Sequence, residues 1–431
     1  MPQNAGDPDE RARRLPFAFS HLDPAVRRDV VYLEASDTAS SFGILYRPPN
    51  HEPKTVVYLM HPRGEFTRHY VVPPLTDRGY AVFGHNSRYL NTDVHMIHER
   101  LLFDIAAGMR YLKQAGFERI ILLGNSGGGS LLGFYQSQAS RKPSRRLTSA
   151  PGGEPIDLSE EIMPEGDLYI AVAAHLGEGR FILNVLDPSV TNESDPTSYD
   201  PEWDMYNPAN GYVPYPAESR YDRAWLAQYR QRQVARNKRL DAIAHEWIDE
   251  QNYFRGQLRD PGYNGLPDAT RGLITRHARL SRYMVIYRTL ANPNYLDLTL
   301  DPSNRPTGSI FSPADPVLGN YGPGGLARLM TPGAWLSTWS GLSSQADLPD
   351  TITHVAIPTL IVFADGDCDI FPSEQRELME KSGAADKTLK ELPWADHYLN
   401  PVGKTGREMK DPRERLIDMI VPWIQERTGE P

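Results

Sequence analysis

The sequence predicts an α/β protein in which a mostly parallel sheet, flanked by helices, is interrupted by a large, mainly helical insertion. Three observations carry this. Over residues 29–123, strand-like apolar stretches alternate with helix-like ones. Such alternation implies right-handed crossovers and a largely parallel sheet covered by helices. The pattern breaks over residues 177–350, which are rich in Tyr, Trp, Asn, Pro and Arg, and it resumes from residue 358. With 431 residues, 40% of them hydrophobic, the chain has ample material for a buried core.

In chain order, strands are expected at 30–33, 42–46, 56–60 and 80–84, the first of them forming an antiparallel edge. Leu101, Ile105, Gly108, Met109 and Leu112 recur at three- and four-residue steps and predict a helix. Residues 120–123 are a short continuous apolar run, the pattern of a strand buried on both faces, and 168–174 is another strand of this kind. A helix carrying Leu131, Leu132 and Tyr135 separates the first of these from a loop at about 140–165. In the insertion, a helix over 221–254 places Leu226, Tyr229, Gln233, Leu240, Ile243 and Trp247 along one face. The last part reads strand (358–364), helix (374–381), strand (388–392), helix (412–427). The expected organisation is a core in two parts, 1–176 and 351–431, with a cap over 177–350.

Composition removes several classes of function. A single cysteine, Cys368, excludes an internal disulfide and a cysteine-rich zinc or iron–sulfur site. A net charge of −9 argues against nucleic acid as the main partner, because phosphate binding calls for a basic face. No stretch approaches the roughly 18 continuous apolar residues of a membrane helix. The first 17 residues contain no apolar run that would serve as a signal peptide, so a cytoplasmic location is expected. Oligomeric state is not legible.

The informative motif is Gly124-Asn125-Ser126-Gly127-Gly128, set between the 120–123 strand and a helix. A serine hydroxyl attacks well when a tight, strained turn holds it proud of the sheet. Glycines two positions to either side let strand and helix approach closely. The helix N-terminus adds positive potential where an oxyanion would form. The alternative is a glycine-rich phosphate turn. No Lys-Ser/Thr pair follows the glycines, and Gly127-Gly128-Gly129 lacks the Gly-x-Gly-x-x-Gly order of a dinucleotide site.

A serine nucleophile needs a base, and the base needs a group to orient it. The strand at 358–364 ends in Asp365-Gly366-Asp367-Cys368-Asp369, on the sheet edge where open α/β sheets bind ligands. Asp367 is the first choice for the acid and Asp369 the second. His397, in the loop after the strand that follows the acid, is the candidate base. The chain order Ser126, Asp367, His397 is that of a serine–acid–histidine triad.

These residues resemble the α/β-hydrolase superfamily over roughly 25–175 and 350–428. Gly124 to Gly128 is similar to its nucleophile elbow. Ala364-Asp365-Gly366-Asp367 is similar to its acid turn, with Ala364 where glycine is common, and Ala395-Asp396-His397 to its histidine loop. The resemblance implies an eight-stranded sheet, a cap inserted after the sixth strand, and no cofactor. It also implies an oxyanion hole built from the amide of Gly127 and one from the loop His61-Pro62-Arg63-Gly64. Proline has no N–H, so that donor would be Arg63 or Gly64, with Arg63 preferred. His61 itself is expected to bond its own loop.

The expected activity is hydrolysis of a small-molecule carboxylic ester. Lactonase, thioesterase, amidase and carbon–carbon hydrolase chemistries use the same triad, and the second reading is one of these, foremost a lactonase or carbon–carbon hydrolase, acting on a bulky aromatic or polyketide-like substrate for which the aromatic-rich cap would be suited. A ligand-binding homologue without catalysis is the alternative of another class. Weaker signals receive bland readings. His95, His98 and Glu99 are expected at a polar helix start, not on a metal. Arg230, Arg232, Arg236, Lys238 and Arg239 are expected on a solvated helix face. The cap aromatics Trp225, Tyr229, Trp247, Tyr253, Tyr283 and Tyr287 are expected in core. Cys368, beside the candidate acid, is expected to be open to thiol reagents but not a nucleophile.

Overall fold

The computed structural model describes residues 18–215, 217–312, 315–323 and 325–429, so the segment 1–17, read above for a signal peptide, lies outside the described residues. Eight strands form one sheet: β1 (Arg27–Glu34), β2 (Ser40–Arg47), β3 (Thr55–His61), β4 (Ala81–Asn86), β5 (Arg119–Asn125), β6 (Leu168–Val172), β7 (Thr359–Ala364) and β8 (Lys387–Leu392). Their spatial order is β1-β2-β4-β3-β5-β6-β7-β8. The β1–β2 and β2–β4 pairs are antiparallel, and the remaining pairs are parallel. The antiparallel edge and the parallel centre follow from the residue pattern. In β1, Val31 is buried while Val30 and Tyr32 face solvent. Strands β4, β6 and β7 are buried along their whole length.

Helices cover both faces. Principal among them are α1 (Val72–Asp77), α2 (Leu101–Gln114), α3 (Gly127–Ala139), α4 (Glu178–Val185), α5 (Arg223–Arg259), α6 (Asp268–Arg279), α7 (Pro372–Lys381) and α8 (Pro412–Thr428). One face of the sheet packs Val57, Leu59, Ile121, Leu123 and Ile170 against Leu75 of α1 and Leu416, Ile420 and Ile424 of α8. The other packs Val56, Tyr58, Ile120, Leu122 and Tyr169 against α2 and α3. Successive residues point to opposite faces, so a strand covered on both is apolar over most of its length, which produces the continuous runs, while the buried His85 and Asn86 at the end of β4 are hydrogen-bonded.

Between β6 and β7 lies the mainly helical insertion, dominated by the 37-residue helix α5. Its Leu226, Tyr229, Gln233 and Leu240 are buried, as the spacing predicts. The basic residues of α5 are not simply a solvated face. Arg236 is 1% exposed and donates to Glu193 (2.9 and 3.0 Å) and to the carbonyls of Tyr287, Asp187 and Arg288 (2.7, 2.8 and 3.2 Å). Arg239 also bonds Glu193, and Arg230 bonds Asn292 and Asn294. Only Arg232 and Lys238 of the five are exposed. Tyr253 and Tyr283 are exposed too, against the core expectation, whereas Trp225 and Tyr229 pack into the cap core. His98 and Glu99 open a short 3-10 helix but are fully buried. Among the described residues, no group of three or more His, Cys, Asp or Glu is arranged to hold a metal ion.

Candidate active site

The sequence after β5 makes a turn that few residues tolerate. Ser126 stands at φ 55°, ψ −129°, a strained conformation for a residue with a Cβ, immediately before α3. Its flanking glycines are sterically required. A Cβ on Gly124 would come within 2.4 Å of both the Gly128 carbonyl oxygen and the Gly129 Cα. One on Gly128 would come within 2.4 Å of the Met60 carbonyl oxygen on β3. Such distances to backbone leave no room for relaxation. The Ser126 N–H donates to the Val172 carbonyl (3.1 Å), tying the turn to β6.

The turn aims the hydroxyl at the loop after β8. Ser126 Oγ lies 2.9 Å from His397 Nε2, and His397 Nδ1 lies 2.6 Å from Asp367 Oδ2. The other Asp367 oxygen accepts from the amides of Asp369 (2.9 Å) and Ile370 (3.1 Å), which locks the carboxylate toward the imidazole. Burial works against a charged His397, but the adjacent Asp367 carboxylate outweighs it and raises the imidazole above its ordinary value.

Each neighbouring aspartate is committed elsewhere. Asp365 accepts from the Trp394 amide (2.5 Å) and from Asn304 Nδ2, bracing the loop that carries His397. Asp369 accepts from Tyr295 Oη (2.8 Å), Ser309 Oγ (3.0 Å) and the Ile310 amide (2.7 Å), all from the cap. Asp369 lines the same cavity as His397, but among the described residues its hydrogen bonds go to the insertion and not to the imidazole. Cys368, between them, is a thiol that burial first and the Asp369 and Asp367 charges second push well above its ordinary value, so little of it is the reactive thiolate.

The expectation for Arg63 needs correction. The Arg63 and Gly64 amides both donate to His61 Nδ1, at 3.2 and 2.8 Å. Two donors on one acceptor leave neither directed at a substrate, because the tight loop after Pro62 turns both toward the imidazole. His61 thus bonds its own loop, as expected. Gly127, at the first turn of α3, keeps an N–H with no carbonyl a turn behind it.

Sequence reasoning missed two residues, His175 and Glu178. They lie just beyond the end of β6, as His61 ends β3, and the carboxyl ends of strands are where open α/β sheets place ligands. That position was the signal available. Around Gly127, a Cβ would stand 2.9 Å from Glu178 Oε1, 3.0 Å from His61 Nε2 and 3.1 Å from His175 Nε2. Glu178 is 1% exposed, and neither of its carboxylate oxygens is hydrogen-bonded. Burial alone would raise it, yet His175, Arg63 and His61 hold it well below the ordinary carboxylate range. These groups share with Ser126 and His397 a cavity of about 140 Å³, whose apolar wall includes Phe66, Phe181, Phe311 and Leu326. A larger opening beside Trp247 and His277 contains none of Ser126, Asp367 and His397.

No known protein-family profile matches the chain, and no curated protein matches it. Among solved structures, it is similar to DcsB in complex with a substrate analogue (12% identity, 93% of this chain and 100% of that one, TM-score 0.49). It is also similar to the α/β hydrolase GrgF from Penicillium sp. sh18 (11%, 94% and 99%, TM-score 0.47). A third is the esterase domain of a Rhodothermus marinus protein (10%, 93% and 98%, TM-score 0.42). What defines the fold is the chain's own topology: an antiparallel edge, the order β1-β2-β4-β3-β5-β6-β7-β8, a strained serine between β5 and α3, and a mainly helical insertion after β6. By these features, the chain has the α/β-hydrolase fold.

Proposed function

We propose that the protein is a serine hydrolase that cleaves a small carboxylic ester through an acyl-enzyme. The hydrogen-bonded series Ser126–His397–Asp367, at 2.9 and 2.6 Å, carries this reading. His397 Nε2 takes the hydroxyl proton as Ser126 Oγ adds to the ester carbonyl. Asp367 holds the Nδ1–H tautomer and stabilises the imidazolium. The Gly127 amide donates to the oxyanion. His397 then returns the proton to the leaving alcohol, and by the reverse route activates the water that releases the acid. No step needs a cofactor.

Pocket size narrows the substrate. The cavity of about 140 Å³ falls below the roughly 300 Å³ at which drug-sized ligand pockets begin. Of the cap aromatics, Phe181 and Phe311 line it, whereas Trp225, Tyr229, Trp247, Tyr253, Tyr283 and Tyr287 do not. A short acyl group against the phenylalanine wall fits better. An intact, hydrogen-bonded triad also favours catalysis over a ligand-binding role. A p-nitrophenyl ester series from acetate to palmitate, run with wild type and Ser126→Ala, tests this. Turnover should be greatest at the short end and vanish in the variant, with its thermal midpoint retained. Activity that survives Ser126→Ala, or a folded wild type that a fluorophosphonate does not label, would refute the hydrolase reading.

A further inference from the structure

We propose that the second donor to the oxyanion is the side chain of His61, through Nε2–H, in place of a backbone amide of its loop. The proposal rests on the serine-hydrolase reading above and concerns the same site.

Three observations converge on this. The two amides of the His61 loop that would otherwise serve are both spent on His61 Nδ1, at 3.2 and 2.8 Å. A nitrogen that accepts two hydrogen bonds bears a lone pair, so the proton of the neutral ring sits on Nε2. That Nε2 stands 3.0 Å from where a Cβ of Gly127 would be, next to the residue whose amide is the first donor, in the wall of the Ser126 cavity. Among the described residues, only the Nδ1 of this ring is hydrogen-bonded.

The chemistry of the ring suits the task. Burial holds His61 down to about 3, so it stays neutral at working pH and donates a hydrogen bond without giving up its proton. When Ser126 Oγ adds to the carbonyl carbon, the C=O π pair moves to oxygen and the hydroxyl proton passes to His397. The His61 proton remains on Nε2 throughout. Glu178, whose charge would oppose an oxyanion nearby, lies 3.7 Å from His175 Nε2 and has the Arg63 guanidinium charge acting on it. The missing side chain at Gly127 is what lets the imidazole approach, since any Cβ would meet Nε2 and the Glu178 carboxylate at once.

The bland account is that His61 only anchors its loop, and two substitutions separate the roles. In His61→Asn, the side-chain oxygen sits near the place of Nδ1 and keeps the loop amides bonded, but the Nε2–H is gone. In His61→Gln, the longer amide places an N–H near Nε2 and gives up the anchor. If His61 is a donor, His61→Asn lowers kcat by about 10²–10³ with KM little changed, and His61→Gln recovers much of the loss. An active His61→Asn, or equal loss in both folded variants, overturns the proposal. A measurement on wild type guards against misfolding: with ¹⁵N-labelled histidine, a trifluoromethyl ketone adduct should move the His61 Nε2–H resonance downfield. An unmoved resonance, or a proton found on Nδ1, also overturns it. Ser126-dependent turnover with an unimpaired His61→Asn would overturn this inference alone, whereas turnover that survives Ser126→Ala removes the hydrolase reading and this inference together.

Discussion

Asp365, Asp367 and Asp369 follow the end of β7 at two-residue spacing, and each turns to a different partner. Asp365 braces the His397 loop, Asp367 faces the imidazole, and Asp369 receives three donors from the cap. Their substitutions should therefore diverge. Asp367→Asn removes the charge that orients His397 and raises its proton affinity, so kcat should fall by about 10⁴. Asp369→Asn leaves the His397–Asp367 pair in place and should act mainly on stability. The pH profile carries the same information. His397 must be neutral to accept a proton, and its value is raised above 6.5 chiefly by Asp367 overcoming burial. Wild-type kcat/KM should rise with pH through a midpoint above 6.5, and in Asp367→Asn the midpoint of any residual activity should move lower. A profile unmoved by Asp367→Asn would contradict this arrangement.

At the scale of elements, the long helix α5 shows how charge is used inside the cap. Arg236 is buried with Glu193 and three carbonyls as partners, so truncation removes the buried guanidinium from Glu193, leaving it only Arg239, and takes a donor from each carbonyl. Removing one partner of such a buried pair costs about 3–5 kcal/mol, whereas exposed surface changes usually stay within about 0.5 kcal/mol. Arg236→Ala should lower stability by the larger amount in chemical denaturation, and Lys238→Ala, on the exposed side of the same helix, by the smaller. Equal effects would mean that the Arg236 cluster does not hold the cap together. The elbow between β5 and α3 is the complementary case, an element held by the absence of side chains at Gly124 and Gly128.

Across the whole molecule, buried titratable groups set how stability responds to pH. His69, His85 and His98 are enclosed, and burial pushes them down to about 3, 3 and 4. A base whose folded value is depressed binds its proton more readily when unfolded. Stability from these three is therefore present above about 6.5, their ordinary value, and is lost as pH falls. Glu99, fully buried with Ser337 Oγ on one oxygen, is pushed up to about 7 by burial. An acid with a raised folded value contributes stability below about 4.5, its ordinary value, and loses it as pH rises through about 7. The two windows overlap, and three histidines outweigh one carboxyl, so thermal midpoints should rise from pH 5 toward about 7. Glu99→Gln should remove the loss between about 4.5 and 7 and so steepen the rise of the midpoint from pH 5 to 7; an unaltered profile over that range would show that Glu99 does not titrate there.

The eight strands were legible in the sequence because a strand buried on both faces carries a continuous apolar run, as Ile120 to Leu123 in β5 and all of β6 do, while one at an edge alternates, as in β1. The Ser126 turn was legible because only glycine satisfies the contacts at Gly124 and Gly128. The chain order of Ser126, Asp367 and His397 pointed to partners that the structure brings within hydrogen-bonding distance. Other features depend on where backbones converge. Which way the Arg63 and Gly64 amides point is decided by the His61 ring, not by residue type. That Arg236 is buried while Lys238 is exposed depends on Glu193 reaching α5 from a distant loop. The gathering of His61, His175 and Glu178 over Gly127 joins the ends of β3 and β6, which pair with β5 from opposite sides. Short-range pattern thus determined the elements and the reactive residues. The directions of hydrogen bonds between distant segments, which local pattern does not encode, were decided only by the tertiary structure.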